Sequence, residues 1–146
     1  MKLLVCVDGS EHSRKAAITA ADFAVKHSKA SIILLHVKTD KDWKEKPIVE
    51  TVQTAEKINK VEQEKDTATH RMLEDMAQIF SERNLPVTKV IQKGNPAKSI
   101  VKVAREENVN LIFIGNRGHS GLKKMLLGSV SKEVAQHAHT DVWVVK

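Results

Sequence analysis

One cysteine, no tyrosine and only 3% aromatic residues leave this 146-residue chain without several common devices for special chemistry. The lone Cys6 excludes an intrachain disulfide framework and any multi-cysteine zinc site. Aromatics this scarce supply no platform on which bases could stack. The longest unbroken apolar run, residues 3–7, is far shorter than the ~20 residues that span a bilayer, so no membrane association is expected. Lys2 ahead of that run imitates the start of a signal peptide. Asp8 ends the run below the ~7–15 apolar residues such a segment needs, so a reducing cytoplasm is the expected compartment. Three sequence signatures are also missing. There is no Gly-x-Gly-x-x-Gly after the first apolar run, no Gly-Lys-Ser/Thr and no Gly-x-Ser-x-Gly, which removes the dinucleotide fingerprint, the P-loop and the hydrolase elbow.

Charge is plentiful, with 24 basic against 18 acidic residues and a net charge of +6. The excess belongs to the last third, where residues 93–146 carry nine basic and four acidic side chains. These cations are scattered along the segment and form no block. Such a distribution suits a small anionic ligand better than a long polyanion, and nucleic acid is not the expected partner. A single domain of this length buries roughly 68–70% of its unfolded surface and needs no covalent staples.

Residues 2–7 and 31–37 are apolar at nearly every position, the pattern of strands covered on both faces. Between them, Ala16, Ala17, Ala20, Ala21, Phe23 and Ala24 give a helical stripe over residues 13–27. Residues 39–47 are charged and end in Pro47, which reads as a loop. From about Val49 a weak helical pattern starts and strengthens at Met72, Leu73, Met76, Ala77 and Phe80. It predicts one long helix ending near Arg83-Asn84, open to a break before residue 66, its Met72/Met76/Phe80 stripe facing the core. A third strand covers residues 86–92. Asn95 and Pro96 then cap and open a helix whose inner face carries Ala97, Ile100, Val101 and Ala104. Residues 111–114 form a fourth strand closed by Gly115. Gly128-Ser129 opens the last helix, with Val130, Val134, Ala135 and Ala138 inside, and residues 141–145 form a fifth strand. This alternation of strands with helical crossovers predicts one doubly wound α/β domain over residues 1–146, a parallel five-stranded sheet with four helices on its two faces.

In such sheets ligands bind past the carboxyl ends of the strands. The richest of these turns reads Gly115-Asn116-Arg117-Gly118-His119-Ser120-Gly121 and continues to Gly128-Ser129-Val130-Ser131. A glycine at a strand end lets a ligand approach the backbone without meeting a Cβ, and it permits a positive φ. Gly128-Ser129 at a helix start bares N–H groups beside a hydroxyl, where the helix dipole favours negative charge by ~0.3–1 kcal/mol. Arg117 adds charge-assisted bonds. The alternative is that these glycines only shape turns and Ser129 only caps a helix. His137 and His139 fit a solvent-facing helix end better than a metal site, and His36 fits a satisfied core histidine. Cys6 fits a buried, inert thiol, and Lys123-Lys124 a solvated face.

The spacing Gly-x2-Gly-x9-Gly-Ser at Gly115, Gly118, Gly128 and Ser129 resembles the nucleotide-binding signature of the universal stress protein (UspA-type) family. So do Val5-Cys6-Val7-Asp8-Gly9-Ser10 ahead of an Ala-rich helix, Leu34-Leu35-His36-Val37, and Gly94-Asn95-Pro96. Residues 40–66 lie outside the likeness, as a variable loop or helix extension. The resemblance implies strand order 3-2-1-4-5 and ATP as ligand, with or without a phosphate-bridging Mg or Mn ion. It places Asp8 and the Val37 backbone at the adenine side, and Gly115 and Gly118 around the ribose and inner phosphates. Gly128, Ser129, Val130 and Ser131 fall at the phosphates. It also implies a homodimer joined through the strand from Val142 to Val145. No base near a γ-phosphate is evident, so a nucleotide-sensing stress-response module with little or no catalysis is expected. Slow ATP hydrolysis or adenylyl transfer on the same site is the alternative, and a nucleotide-independent interaction protein is a third reading.

Overall fold

The apolar runs become the inner strands of a single parallel sheet. The computed structural model describes residues 1–27, 29–39, 52–118 and 127–146, with helix backbone alone over 52–66. In chain order its elements are β1 (Lys2–Cys6), α1 (Glu11–Val25), β2 (Ser31–Lys38), α2 (Val52–Ser81), β3 (Val87–Lys93), α3 (Pro96–Glu106), β4 (Leu111–Gly115), α4 (Ser129–His137) and β5 (Asp141–Val145). The strands lie in the order β3-β2-β1-β4-β5, and every pairing is parallel.

Successive side chains of a strand point to opposite faces, and both faces are covered here. Leu3, Val5, Ile32, Leu34 and Phe113 pack against the alanines of α1 and against Leu73, Met76 and Phe80 of α2. Leu4, Cys6, Ile33, Leu35, Ile112 and Ile114 pack against Ala97, Ile100 and Val103 of α3 and Val134 of α4. The sheet thus separates two cores, with α1 and α2 on one side and α3 and α4 on the other.

Element ends follow from side-chain chemistry. The Ser13 amide donates to Ser10 Oγ at 3.2 Å, so α1 starts at Glu11, two residues before the alanine stripe predicts. Asn95 Oδ1 accepts from the Lys98 amide at 3.0 Å, and Pro96 takes the first helical position, as expected. Asn84 (φ 55°) and Asn108 (φ 51°) turn left-handed after α2 and α3. There the Leu85 amide donates to the Phe80 carbonyl at 3.1 Å and the Val109 amide to Ala104 at 2.9 Å, closing each helix.

The backbone of α2 runs as one long helix from Val52 to Ser81, as expected. Two expectations are corrected. Strand β3 starts at Val87, one residue later than expected; Pro86 has no N–H to give, and its carbonyl accepts from the Ile32 amide at 2.9 Å. Ala135 is exposed, not internal, because the short α4 rests on the sheet through a narrow stripe. Val134 is fully buried in that stripe, and Val130 and Ala138 are half-buried. The loop expected over residues 39–47 lies almost wholly outside the described residues, as do His119, Ser120, Gly121, Lys123 and Lys124.

Candidate functional site

Strand order reverses between β1 and β4, and a cavity of about 550 Å³ opens past their carboxyl ends. Its place is the switch point at which open parallel sheets bind ligands, and its size is that of a small-molecule site. Asp8, Val37, Gly115, Arg117, Gly118, Gly128, Ser129, Val130 and Ser131 all line it. Residues more than a hundred positions apart are therefore brought to one crevice. Cys6, Val7, Leu35, Ile100 and Ile114 supply apolar wall.

The turn after β1 is fixed by a small network. Asp8 Oδ1 accepts from the Ser10 amide at 2.9 Å, while the Asp8 amide donates to Ser13 Oγ at 3.4 Å. Ser13 Oγ in turn donates to the Ser10 carbonyl at 2.9 Å. The device that caps α1 therefore also aims the half-buried Asp8 carboxylate. Gly9 at φ 81° makes the sharp reversal possible.

Each glycine of the signature sits where a side chain would have no room: Gly115 and Gly128 against backbone, Gly118 against the Asp8 carboxylate. A Cβ on Gly118 would lie 2.6 Å from Asp8 Oδ2, so a side chain here would force the carboxylate out of its place at the β1 exit. At Gly115 a Cβ would lie 2.7 Å from the carbonyl carbon of His12, so it is the close approach of α1, before any ligand, that requires this glycine. At Gly128 a Cβ would meet the Asn116 carbonyl oxygen at 2.8 Å. None of these three takes a positive φ; among the described glycines only Gly9 and Gly94 do, which corrects the conformational reason expected for the strand-end pair.

The start of α4 is held against the β4 exit. The Gly128 amide donates to the Asn116 carbonyl at 2.6 Å. Ser131 Oγ, buried, reaches the same carbonyl at 3.2 Å and the Gly128 carbonyl at 3.0 Å. The Ser131 hydroxyl thus joins loop to helix. Helices α1 and α3 each have a side-chain acceptor at the N-cap, but Gly128 provides none for α4. The first amides of that helix have no intrahelical acceptor, and they belong to Ser129, Val130 and Ser131 at the cavity wall. Arg117 Nε, Asn116 Oδ1 and His12 Nδ1 are buried without a hydrogen-bond partner among the described residues. All three cluster on or against the β4 exit.

Burial pushes the Cys6 thiol well above its ordinary range, with the Asp8 charge adding to the effect. The thiol stays neutral at physiological pH and serves as wall, in line with its expected inertness. His36 Nδ1 donates to the Val7 carbonyl at 2.9 Å, so this histidine is satisfied, though half-buried and on the cavity margin. His137 and His139 are exposed, as expected. Ser13, Thr39 and Pro96 also line the crevice and were not anticipated. Pro96 carried a legible signal in the Gly94-Asn95-Pro96 turn, and Ser13 one in its place three residues after Ser10. Among the described residues no three His, Cys, Asp or Glu side chains converge as a metal cage would require.

Comparison with known proteins agrees with this architecture. The sequence pattern described as "Universal stress protein family" matches residues 1–146. Universal stress protein YxiE of Bacillus subtilis is 34% identical over 99% of this chain and 98% of its own length. The solved structure of MJ0577, a universal stress protein from Methanocaldococcus jannaschii, superposes with a TM-score of 0.82 at 29% identity, covering 99% of this chain and 94% of that one. A family protein from Arabidopsis thaliana, solved with AMP bound, shares the fold with a TM-score of 0.70 at 18% identity, covering 100% of this chain and 91% of its own.

Proposed function

The chain belongs to the universal stress protein family, and from that premise we propose that its crevice binds an adenine nucleotide, ATP in particular, so that it serves as a nucleotide-sensing stress-response module with little or no catalysis. The observation that carries the reading is the uncapped N-terminus of α4 at one end of a largely apolar cavity. Bared amides there suit phosphate oxygens, and the helix dipole adds ~0.3–1 kcal/mol of preference for negative charge. Arg117 lines the same cavity with an unpartnered Nε donor, which a phosphate would satisfy. Val37, Leu35 and Ile100 in the same lining offer apolar cover for a base, and the Asp8 carboxylate supplies an acceptor for sugar hydroxyls or base amines. Occupation of the same fold by AMP in the Arabidopsis protein supports the reading.

Catalysis has less support. Asp8 is the sole carboxylate lining the crevice among the described residues, and it is engaged with the cap of α1. With no cage of protein ligands among the described residues, a divalent ion would be carried in by the phosphates. Titration calorimetry should give a Kd for ATP in the micromolar range, about −8 kcal/mol. Absence of heat at millimolar ATP, over a range of salt and pH, would remove the proposal.

We further propose that two copies pair through β5. This strand is an edge of the sheet, and its Trp143 is 44% exposed. An apolar edge of this kind is a template for pairing. Light scattering at micromolar concentration should return twice the chain mass; a monomer mass would reject the pairing.

A further inference from the structure

Much of the positive charge of the last third is spent away from the crevice. Lys98, Lys102 and Arg105 follow one another along α3 at i, i+4 and i+7, a single exposed helix face. They border an open groove of about 420 Å³ between α3 and α4. Ala97 and half-buried Val101 form its apolar floor, and Glu133 and His137 of α4 form the far bank. The groove and the crevice share no lining residue. Pro96 and Ile100 face the crevice while Ala97 and Val101 face the groove.

Local charge leaves this cationic face incompletely neutralised. Lys102 approaches Glu106 at 3.8 Å, an exposed i, i+4 contact of little strength. The Arg105 guanidinium contacts the His139 ring, which supplies no negative charge. Lys98 Nζ appears in no ion pair among the described residues. Facing these cations, Glu133 is half-buried on the other helix, and its backbone carbonyl accepts from His137 Nδ1 at 2.9 Å.

We infer that the α3–α4 groove docks an acidic peptide segment of a partner protein. Such a segment would set carboxylates against Lys98, Lys102 and Arg105 and an aliphatic side chain on Val101. The chemistry favours a peptide over a nucleic acid on two counts. Glu106 and Glu133 on the rim would repel a continuous phosphate backbone, and the floor is the aliphatic pair Ala97 and Val101, with no Phe, Tyr or Trp in the lining on which bases could stack. Carboxylates placed singly can avoid the two glutamates, and an intervening leucine can use the floor. Charge complementarity of this kind sets specificity and association rate more than raw affinity.

The test uses the full chain and a fluorescein-labelled peptide of Glu-Glu-Leu-Glu repeats, followed by anisotropy at low salt. Binding is expected. The combined change Lys98→Gln, Lys102→Gln, Arg105→Gln should weaken it by roughly tenfold or more. Neutralising Lys15, Lys26 and Lys29, exposed cations on the α1 side, should leave it within about twofold, since the groove and not the net charge is at issue. ATP affinity and the thermal midpoint of the groove variant should match those of the unaltered chain, which shows that it is folded and keeps the crevice separate. Three results would overturn the inference: no peptide binding, equal loss in both triple variants, or a labelled DNA duplex bound through the groove in preference to the peptide.

Discussion

Gly118→Val is expected to lower ATP affinity at least ~100-fold, about 2.8 kcal/mol, while the protein stays folded. Two effects act together. A Cβ at this position would stand 2.6 Å from Asp8 Oδ2, a distance that real side chains do not tolerate, so the carboxylate must swing away. The valine methyls then occupy cavity space beside the displaced carboxylate. The cost to the fold is smaller because Gly118 is exposed and the atom it meets ends a side chain. The Asp8–Ser10 hydrogen bond is the main contact at risk, worth ~0.5–1.5 kcal/mol net. Calorimetry with ATP and urea unfolding of the same preparation separate the two effects. Undiminished affinity in a folded variant would mean that the nucleotide does not lie between Asp8 and the β4 exit.

Phe113→Ala should do the reverse, costing ~3–5 kcal/mol of stability and leaving the crevice chemistry alone. Phe113 is fully buried on β4 and faces the α1–α2 core, on the side of the sheet away from Ile100 and Val134. Its ring stacks on Trp143 of β5 with centroids 5.3 Å apart and meets Phe23 of α1 at 5.7 Å. It is also the register partner of Val5 on one side and Trp143 on the other. Truncation therefore opens a cavity where two strand pairings and a helix meet. Against a typical total of ~5–15 kcal/mol, the urea midpoint should fall steeply with an unchanged slope. A loss below about 1 kcal/mol would show that the aromatic cluster is not part of the cooperative core.

The contrast between these two positions shows what could be read from residues alone. Strands β1, β2, β4 and β5 were legible because uninterrupted apolar runs have few other uses in a chain of this length. The start of α3 was marked by Asn95-Pro96, whereas the Ser10 cap of α1 was read only as part of the turn after β1. Stretches dominated by charge, such as residues 40–66, carry little periodic signal. Ala135 was misplaced because alanine is small enough to suit either side of a helix, so periodicity could not decide its direction.

In the crevice, the signature residues were placed together by their spacing and by the family likeness, but the reason for each glycine was not legible. Gly115 answers to the backbone of His12 and Gly118 to the carboxylate of Asp8. Both are contacts between segments far apart in sequence, and no local pattern encodes them. The same holds for His36 and Thr39, which reach the cavity margin only because β2 ends beside β1.

The central claim is that amides at the start of α4 hold phosphate. Amide-resolved NMR during an ATP titration tests it directly. Saturating shifts should concentrate at Ser129, Val130, Ser131 and Gly118, with adenosine alone moving residues near Val37 but leaving the α4 amides in place. ATP that binds while those amides stay unmoved, or that moves instead the outer face of α3, would contradict it.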